Sequence, residues 1–384
     1  MKNIKLLNKI APCGTSIFNK DEYTVSTEID NADAIMVRSA SMHDMEFDAS
    51  LQAVARAGAG VNNIPLDKCA DAGIVVFNTP GANANGVKEL AIAALLLASR
   101  DIVGGIKWAG TLETDVAKSV EKGKSAFAGQ EILGKKLGVI GLGAIGGLVA
   151  NAAGDLGMDV IGCDPFMTVS AAWKLSRNVH SAATYEDIYK TCDYITLHVP
   201  STPDTKNMIN AETLAMMKDG VRIINLSRAD LVNAADLKAA IESGKVASYV
   251  TDFPTEEIIN TPGITAIPHL GASTAESEDN CAVMAATQLI DYLENGNIKN
   301  SVNFPAVSMT RSGEARLVVL HKNQPEMLSK ITGVLSADGI NIENMASRSK
   351  GNYACALLDC SKAVTEEQVA DIAAIDGIIR VLVK

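Results

Sequence analysis

The sequence predicts an α/β protein: a doubly wound parallel sheet, a smaller α/β unit before it and a ferredoxin-like βαββαβ unit after it. Three observations carry that prediction. Between Gly134 and His269 the apolar runs KLGVIGLG, DVIGCD, YITLHVP, RIINLSR, ASYVTDF and ITAIPH alternate with mostly helical stretches. Such alternation gives parallel strands joined by right-handed crossovers. The first run opens into a glycine-rich turn and a helix. Aromatics are only 4% while small aliphatic residues abound, a mixture that lets helices lie close on a parallel sheet.

Taken in order, IKLL at Ile4, AIMVRS at Ala34, AVARAG at Ala53 and IVVFNTP at Ile74 read as buried strands of the first unit. Residues 83–100 read as a long helix with Asn83 as its N-cap. In the central series each strand ends in polar, Gly or Pro residues at its C-terminal end, where such sheets form their ligand crevice. Residues 273–296 read as a second long helix, with Ser273 and Glu276 as a capping box and Gly296 as the stop. The stretch NSVNFPAVSMTRSGE then reads as a linker. Beyond it follow a strand (Arg316–His321), a helix (Pro325–Ala337), two strands (Asn341–Ser347, Tyr353–Asp359), a helix and a strand (Ile378–Val383).

Length and composition bound the function. A chain of 384 residues suggests two or three domains. The net charge of −11 argues against nucleic acid or an anionic membrane as the main partner. An anionic substrate then needs a local cationic pocket. Seven cysteines without a C-x-x-C pair read as reduced, apolar fillers, and no metal is expected. The N-terminus lacks a signal-peptide pattern, and the longest apolar run is far too short to span a membrane. A cytoplasmic enzyme is the expectation.

The glycine-rich turn has a specific reading. Gly141 allows the tight turn, Gly143 lets the backbone approach a pyrophosphate, and Gly146 lets helix and strand pack closely. The helix N-terminus offers N–H groups and a positive dipole end to the phosphates. Asp164 ends the next strand, 18 residues after Gly146. Its carboxylate suits both ribose hydroxyls and would repel a 2′-phosphate, so the expected cofactor is NAD.

Hydride transfer from a hydroxy acid needs a base, a cation for the carboxylate and carbonyl, and a carboxylate beside the base. Of five histidines, His198 and His269 stand at strand ends on the crevice side; His43 and His180 lie in polar stretches. Arg228 in INLSRADLV points a charge into the crevice and suits bidentate capture of a carboxylate. Glu256 in DFPTEE could reach His269, with Glu257 as its rival.

At this point RAGAGVNNI, VIGLGAIG, LHVPSTPDTKNMI, INLSRADLVN, DFPTE and PHLGAST together resemble the D-2-hydroxyacid dehydrogenases, over essentially the whole chain and closest to the branch acting on 3-phosphoglycerate. The resemblance implies Arg228, Glu256 and His269 as the catalytic set and Asp252 as the partner of the nicotinamide amide. It implies further cofactor contacts at Ala144, Ile145, His198, Pro200, Leu226, Ser227, Gly271 and Ala272. For the substrate it implies Arg38, Ser39, Ala59, Gly60, Val61 and Asn83. Relatives often carry a second arginine two positions after Arg38, where this chain has Ala40; Lys88 or a neighbouring subunit could supply that charge. The fold implied is a Rossmann-type cofactor domain (99–271) inserted into a flavodoxin-like substrate domain (1–98 and 272–305). Rival activities are reduction of glyoxylate, hydroxypyruvate or another 2-keto acid and, in a different class, NAD sensing by a partner-binding protein.

The C-terminal unit (312–384) resembles an ACT domain, an effector-binding module. The resemblance implies L-serine as effector, held by His321, Asn323 and Asn341, and a homodimer or homotetramer. The family's loop places glycine after the proline, where this chain has Glu326.

Overall fold

The computed structural model describes all 384 residues, which divide into two units: 1–82 with 278–384, and 83–277. The first unit begins with five parallel strands, β1 (Lys2–Leu6), β2 (Tyr23–Ser26), β3 (Ala34–Val37), β4 (Ala53–Arg56) and β5 (Val75–Phe77), in the order β2-β1-β3-β4-β5. Strands β3 to β5 are buried almost throughout, which is why they read as continuous apolar runs. Strand β2 was not expected. It lies at the sheet edge, so its sequence YTVS carries no such run. Met36, Ala55 and Phe77 face one side and pack on Ala285, Leu289 and Tyr292 of the helix Ala275–Asn295; Val37, Val54 and Val76 face a second core.

The second unit holds seven parallel strands: β6 (Lys136–Ile140), β7 (Asp159–Cys163), β8 (Val179–Ser181), β9 (Tyr194–Leu197), β10 (Val221–Asn225), β11 (Val246–Thr251) and β12 (Ile264–Ala266). Their order is β12-β11-β10-β9-β6-β7-β8. The chain reverses direction across the sheet at β6, which pairs with β7 on one side and β9 on the other, and such switch points form the ligand crevice. Strand β8 is again a short edge strand that the apolar pattern does not mark. The helix Ala84–Ser99 packs Ala91, Ala94 and Leu95 onto this sheet beside Ile224 and Val250, and Ser99 Oγ hydrogen-bonds Tyr194 Oη at 2.8 Å. Asn83 stands at its N-cap, but its side chain makes no cap bond.

The first unit's second sheet comprises β13 (Ala315–Lys322), β14 (Ile342–Lys350), β15 (Tyr353–Cys360) and β16 (Ile378–Val383), antiparallel, ordered β14-β15-β13-β16. This is the expected βαββαβ arrangement. One face, with Leu317, Val319 and Leu358, is covered by its own helices through Ile331, Leu335 and Ile372. The other face, with Val318, Leu320, Cys355 and Leu357, belongs to the same core as Phe77, Tyr292, Leu293 and Phe304. The linker reading is corrected here. Phe304 and Val307 are buried in that shared core, and alternating polar residues had hidden them. Arg316, fully buried, pairs with Asp359 at 2.5 Å and donates to the carbonyls of Asn295 and Met309, so the sheet is tied to the end of the long helix.

Candidate active site

The glycine turn after β6 has the geometry its sequence demands. Gly141 has φ +88°, and a Cβ there would lie 2.5 Å from the His198 carbonyl oxygen. A Cβ on Gly146 would lie 1.9 Å from the Gly141 carbonyl oxygen, so this contact admits only glycine. Nothing stands within 4 Å of the space a Cβ on Gly143 would fill. The helix Gly146–Asp155 begins at Ile145 after Ala144, without a side-chain cap, leaving the dipole's positive end to an anion. Asp164 accepts from the N–H of Leu142 at 2.9 Å and of Phe166 at 2.9 Å, fixing its carboxylate beside the turn with lone pairs to spare.

Around the C-terminal ends of β9 to β12 the other expected residues gather. Ser227 donates its hydroxyl to the Leu197 carbonyl at 2.6 Å, and Leu226 is buried. Pro200 accepts from Thr205 Oγ1 at 2.6 Å. Arg228 is exposed and donates from Nη1 to the Ser227 carbonyl at 2.6 Å. Asn225, which sequence reading missed, frames this loop from beneath. Wholly buried, it donates to the Arg228 carbonyl at 2.8 Å and to Tyr249 Oη at 3.1 Å and accepts from the Ser227 N–H. A polar residue closing an apolar strand was the only signal for it.

Asp252 is 1% exposed. One oxygen accepts from the Gly271 N–H at 3.2 Å, while Oδ1 is buried without a partner. Burial pushes its carboxyl up, opposed by neighbouring His269 and the Gly271 N–H. A buried orphan acceptor at this place fits the amide N–H of a nicotinamide, just as the open space at Gly143 and the uncapped helix fit a pyrophosphate. Ala272 follows Gly271 in the same turn, half-buried.

The histidines separate clearly. His198 lies beneath the glycine turn; Thr196 Oγ1 bonds its Nε2 at 2.9 Å and Nδ1 is buried without a partner. Burial lowers its pKa to about 4, so it stays neutral. His269 is exposed and available for proton transfer. The carboxylate beside it is that of Asp252, not the expected Glu256. Glu256 is exposed, and Glu257 lines a cavity. The ring that touches His269 is Phe253, with centroids 4.6 Å apart and planes at 47°. Arg228 lies over that same ring, its guanidinium carbon 5.9 Å from the centroid. Behind Phe253 is a cavity of about 230 Å³, also lined by Tyr249, Asp230 and Glu257.

In the first unit, the loop after β3 is held by one missed residue: Asn8 Oδ1 accepts from the N–H groups of Arg38, Ser39 and Ala40 at 3.1, 3.1 and 2.9 Å. Arg56 Nε donates to the Arg38 carbonyl at 3.0 Å. The Arg38 guanidinium, so positioned, is paired with Glu278 at 2.6 Å. The Ala59–Gly60–Val61 turn follows β4, with the Ala59 carbonyl accepting from Asn78 at 2.7 Å. In the second sheet of this unit His321 is buried; its Nδ1 meets the Lys322 carbonyl at 2.8 Å and its Nε2 has no partner. Asn323 donates to the Gly351 carbonyl at 3.0 Å, and the Asn341 N–H donates to Ser361 Oγ at 3.2 Å. Glu326 adopts φ +66°, the conformation that explains the family's glycine, and its carboxylate lies 3.5 Å from Lys330.

Comparison with known proteins agrees with this geometry. Residues 92–271 match the family model of the D-isomer specific 2-hydroxyacid dehydrogenase NAD binding domain. The chain is 34% identical over 316 residues to a D-3-phosphoglycerate dehydrogenase of Bacillus subtilis, covering 80% of this chain and 58% of that one. It therefore spans less than two thirds of that relative's length. It is 33% identical over 337 residues to the D-3-phosphoglycerate dehydrogenase of Escherichia coli, covering 84% of this chain and 78% of the relative. Among solved structures, NAD+-bound 3-phosphoglycerate dehydrogenase of Entamoeba histolytica superposes with a TM-score of 0.60 at 27% identity, covering 79% of this chain and 98% of that one.

Proposed function

The chain belongs to the D-isomer specific 2-hydroxyacid dehydrogenases, whose cofactor is NAD, and we propose that it oxidises 3-phospho-D-glycerate to 3-phosphohydroxypyruvate, the first step of L-serine biosynthesis. The single observation that carries the chemistry is that Arg228, buried Asp252 and His269 converge at the ends of three neighbouring strands. In this reading Arg228 grips the substrate carboxylate and His269 takes the 2-hydroxyl proton. Bound NAD supplies the hydride acceptor; Asp252 orients its amide, and the glycine turn and Asp164 hold its phosphates and ribose. Ala59–Val61 and Arg38 are among the residues of the first unit that the family resemblance assigns to the substrate. The test is a panel of 2-hydroxy and 2-keto acids assayed with NAD or NADH. A clear preference for the 3-phosphorylated pair is expected; an equal or greater rate with glyoxylate or hydroxypyruvate overturns the assignment.

One observation favours those rivals. Arg38 is already neutralised by Glu278 and has no second arginine at Ala40. Phosphate must displace that carboxylate, whereas an unphosphorylated acid need not.

We propose further that the C-terminal domain binds an amino-acid effector, L-serine. The orphaned His321 Nε2 supports this, and Lys330 partly neutralises the Glu326 charge that would repel a carboxylate. Titration with millimolar L-serine checks it; an unchanged rate and thermal midpoint reject it. An oligomer, at least a dimer, is supported by residues 101–131, none of which is buried and which expose Ile106 at 68%. All seven cysteines are unpaired and six are buried, which supports a reducing, cytoplasmic setting; no helix is long and apolar enough to cross a membrane.

A further inference from the structure

We propose that Asn8 is a positioning residue for substrate recognition: its side chain holds the loop that carries Arg38. The inference rests on the reading above, in which Arg38 is the cation for a phosphorylated acid. It starts from strand register. Strands β1 and β3 run parallel with Leu6 opposite Met36, and the Leu7 N–H donates to the Met36 carbonyl at 3.1 Å. Two residues past the end of β1, half-buried Asn8 therefore stands beside Arg38, the first residue past β3. There its Oδ1 accepts from three successive N–H groups, those of Arg38, Ser39 and Ala40, at 3.1, 3.1 and 2.9 Å. Successive N–H groups turned to one point make a concave positive patch of the kind that binds anions. Here an amide oxygen of the chain itself fills it. The loop's carbonyls are held from the other side: Arg56 Nε donates to that of Arg38 at 3.0 Å and Asn63 Nδ2 to that of Ala40 at 2.8 Å.

This arrangement does two things. It fixes the backbone from which the Arg38 side chain swings. The guanidinium is paired with Glu278 at 2.6 Å, and a phosphate must take that carboxylate's place. With the loop held, only the side chain moves in that exchange. Without Asn8, three N–H groups lose their common acceptor, and the substrate has to order the loop as well as the side chain. The second point is the choice of a neutral acceptor. An amide oxygen holds the N–H groups without setting another anion beside a guanidinium that Glu278 already engages. Arg38 takes no part in the hydride or proton transfer, so a misplaced loop weakens binding of the acid and leaves the chemical step alone.

The test is steady-state kinetics of Asn8→Ala, Arg38→Ala and the double variant, with 3-phospho-D-glycerate and with unphosphorylated D-glycerate. Asn8→Ala should raise the KM for the phosphorylated acid roughly three- to tenfold, the size of effect that losing one net hydrogen bond produces. Its kcat and its KM for NAD and for glycerate should stay at the wild-type level. In the Arg38→Ala background the same substitution should add nothing, because the residue it positions is gone. A merely structural role would instead lower the melting point and act alike in both backgrounds. Should the alanine variant fail to fold, Asn8→Leu, close in shape and without an acceptor, is read in its place. A folded alanine or leucine variant overturns the proposal if its KM for the phosphorylated acid is that of wild type, if both acids change equally, or if its effect persists in full without Arg38. The two levels stay distinguishable. A wild type that prefers glycerate, or an Arg38→Ala enzyme altered equally for both acids, sinks the phosphate reading and the role of Asn8 with it. A selective Arg38→Ala beside a neutral Asn8→Ala sinks the positioning role alone.

Discussion

At the scale of single residues, the two strand-end histidines were equivalent in the sequence and are opposite in the structure. His269 is exposed beside Arg228 and Asp252; His198 is locked neutral under the glycine turn. His269→Ala should depress turnover roughly 10²–10⁴-fold, the usual effect of losing a general base, with NAD binding largely intact. His198→Ala should do far less, and steady-state rates of the two variants decide the order. His198 has a second, thermodynamic signature. Its pKa is lowered to about 4 from an ordinary 6.5, so between those values the unfolded chain binds more protons than the folded one. Stability present above pH 6.5 is therefore lost as pH falls towards 4, by up to about 1.4 kcal/mol per pH unit. Urea titrations at pH 6.5 and 4.5 should show a smaller difference for His198→Gln than for wild type. Motif residues such as Gly141, Gly146 and Asp164 were legible because their chemistry is local. Asn8 and Asn225 were not, because each bonds a group brought to it by the fold: Asn8 the loop of a neighbouring strand, Asn225 the Tyr249 hydroxyl.

At the scale of elements, the sequence marks what is buried on both sides and misses what is not. Central strands announce themselves as apolar runs; edge strands β2 and β8 do not. The ends of the three helices given bounds are legible to within two residues. The cap of the long helix Ala275–Asn295 is Thr274, which accepts from the Ser277 N–H at 3.1 Å, one position beyond the Ser273 expected. At the start of the helix Met327–Ala337, Glu326 holds a left-handed conformation that an L side chain adopts at a cost. Glu326→Gly should accordingly raise the stability of the domain by about 1 kcal/mol, since glycine populates that region freely. A melting curve shows it, and a lowered midpoint would mean the Glu326–Lys330 pair matters more than the backbone.

At the scale of the whole molecule, the expectation that needs revising is independence of the C-terminal domain. Composition suggested a linker, but the sheet it leads to completes a core around Tyr292, Leu293 and Phe304, and buried Arg316 bonds the end of the long helix. Ending the chain before Arg311 should therefore yield an insoluble or strongly destabilised product rather than a free catalytic core. Soluble expression with a two-state melt near the full-length midpoint would refute this. Asp359→Asn, which leaves Arg316 buried without its carboxylate, is the point-mutant equivalent and should cost about 3–5 kcal/mol.

If 3-phospho-D-glycerate is the substrate, as proposed, its phosphate needs a cation, and Arg38 of the first unit is the candidate. Arg38 sits on a loop fixed by Asn8 and Arg56 and is paired with Glu278, which a phosphate would have to displace. The most direct measurement is NADH formation by wild type and Arg38→Ala, with 3-phospho-D-glycerate and with unphosphorylated D-glycerate. The account predicts a KM for the phosphorylated acid that rises by at least about tenfold, the loss of one charge-assisted contact, and a KM for glycerate that barely moves. An equal change for both acids, or faster turnover of glycerate by the wild type, would contradict it.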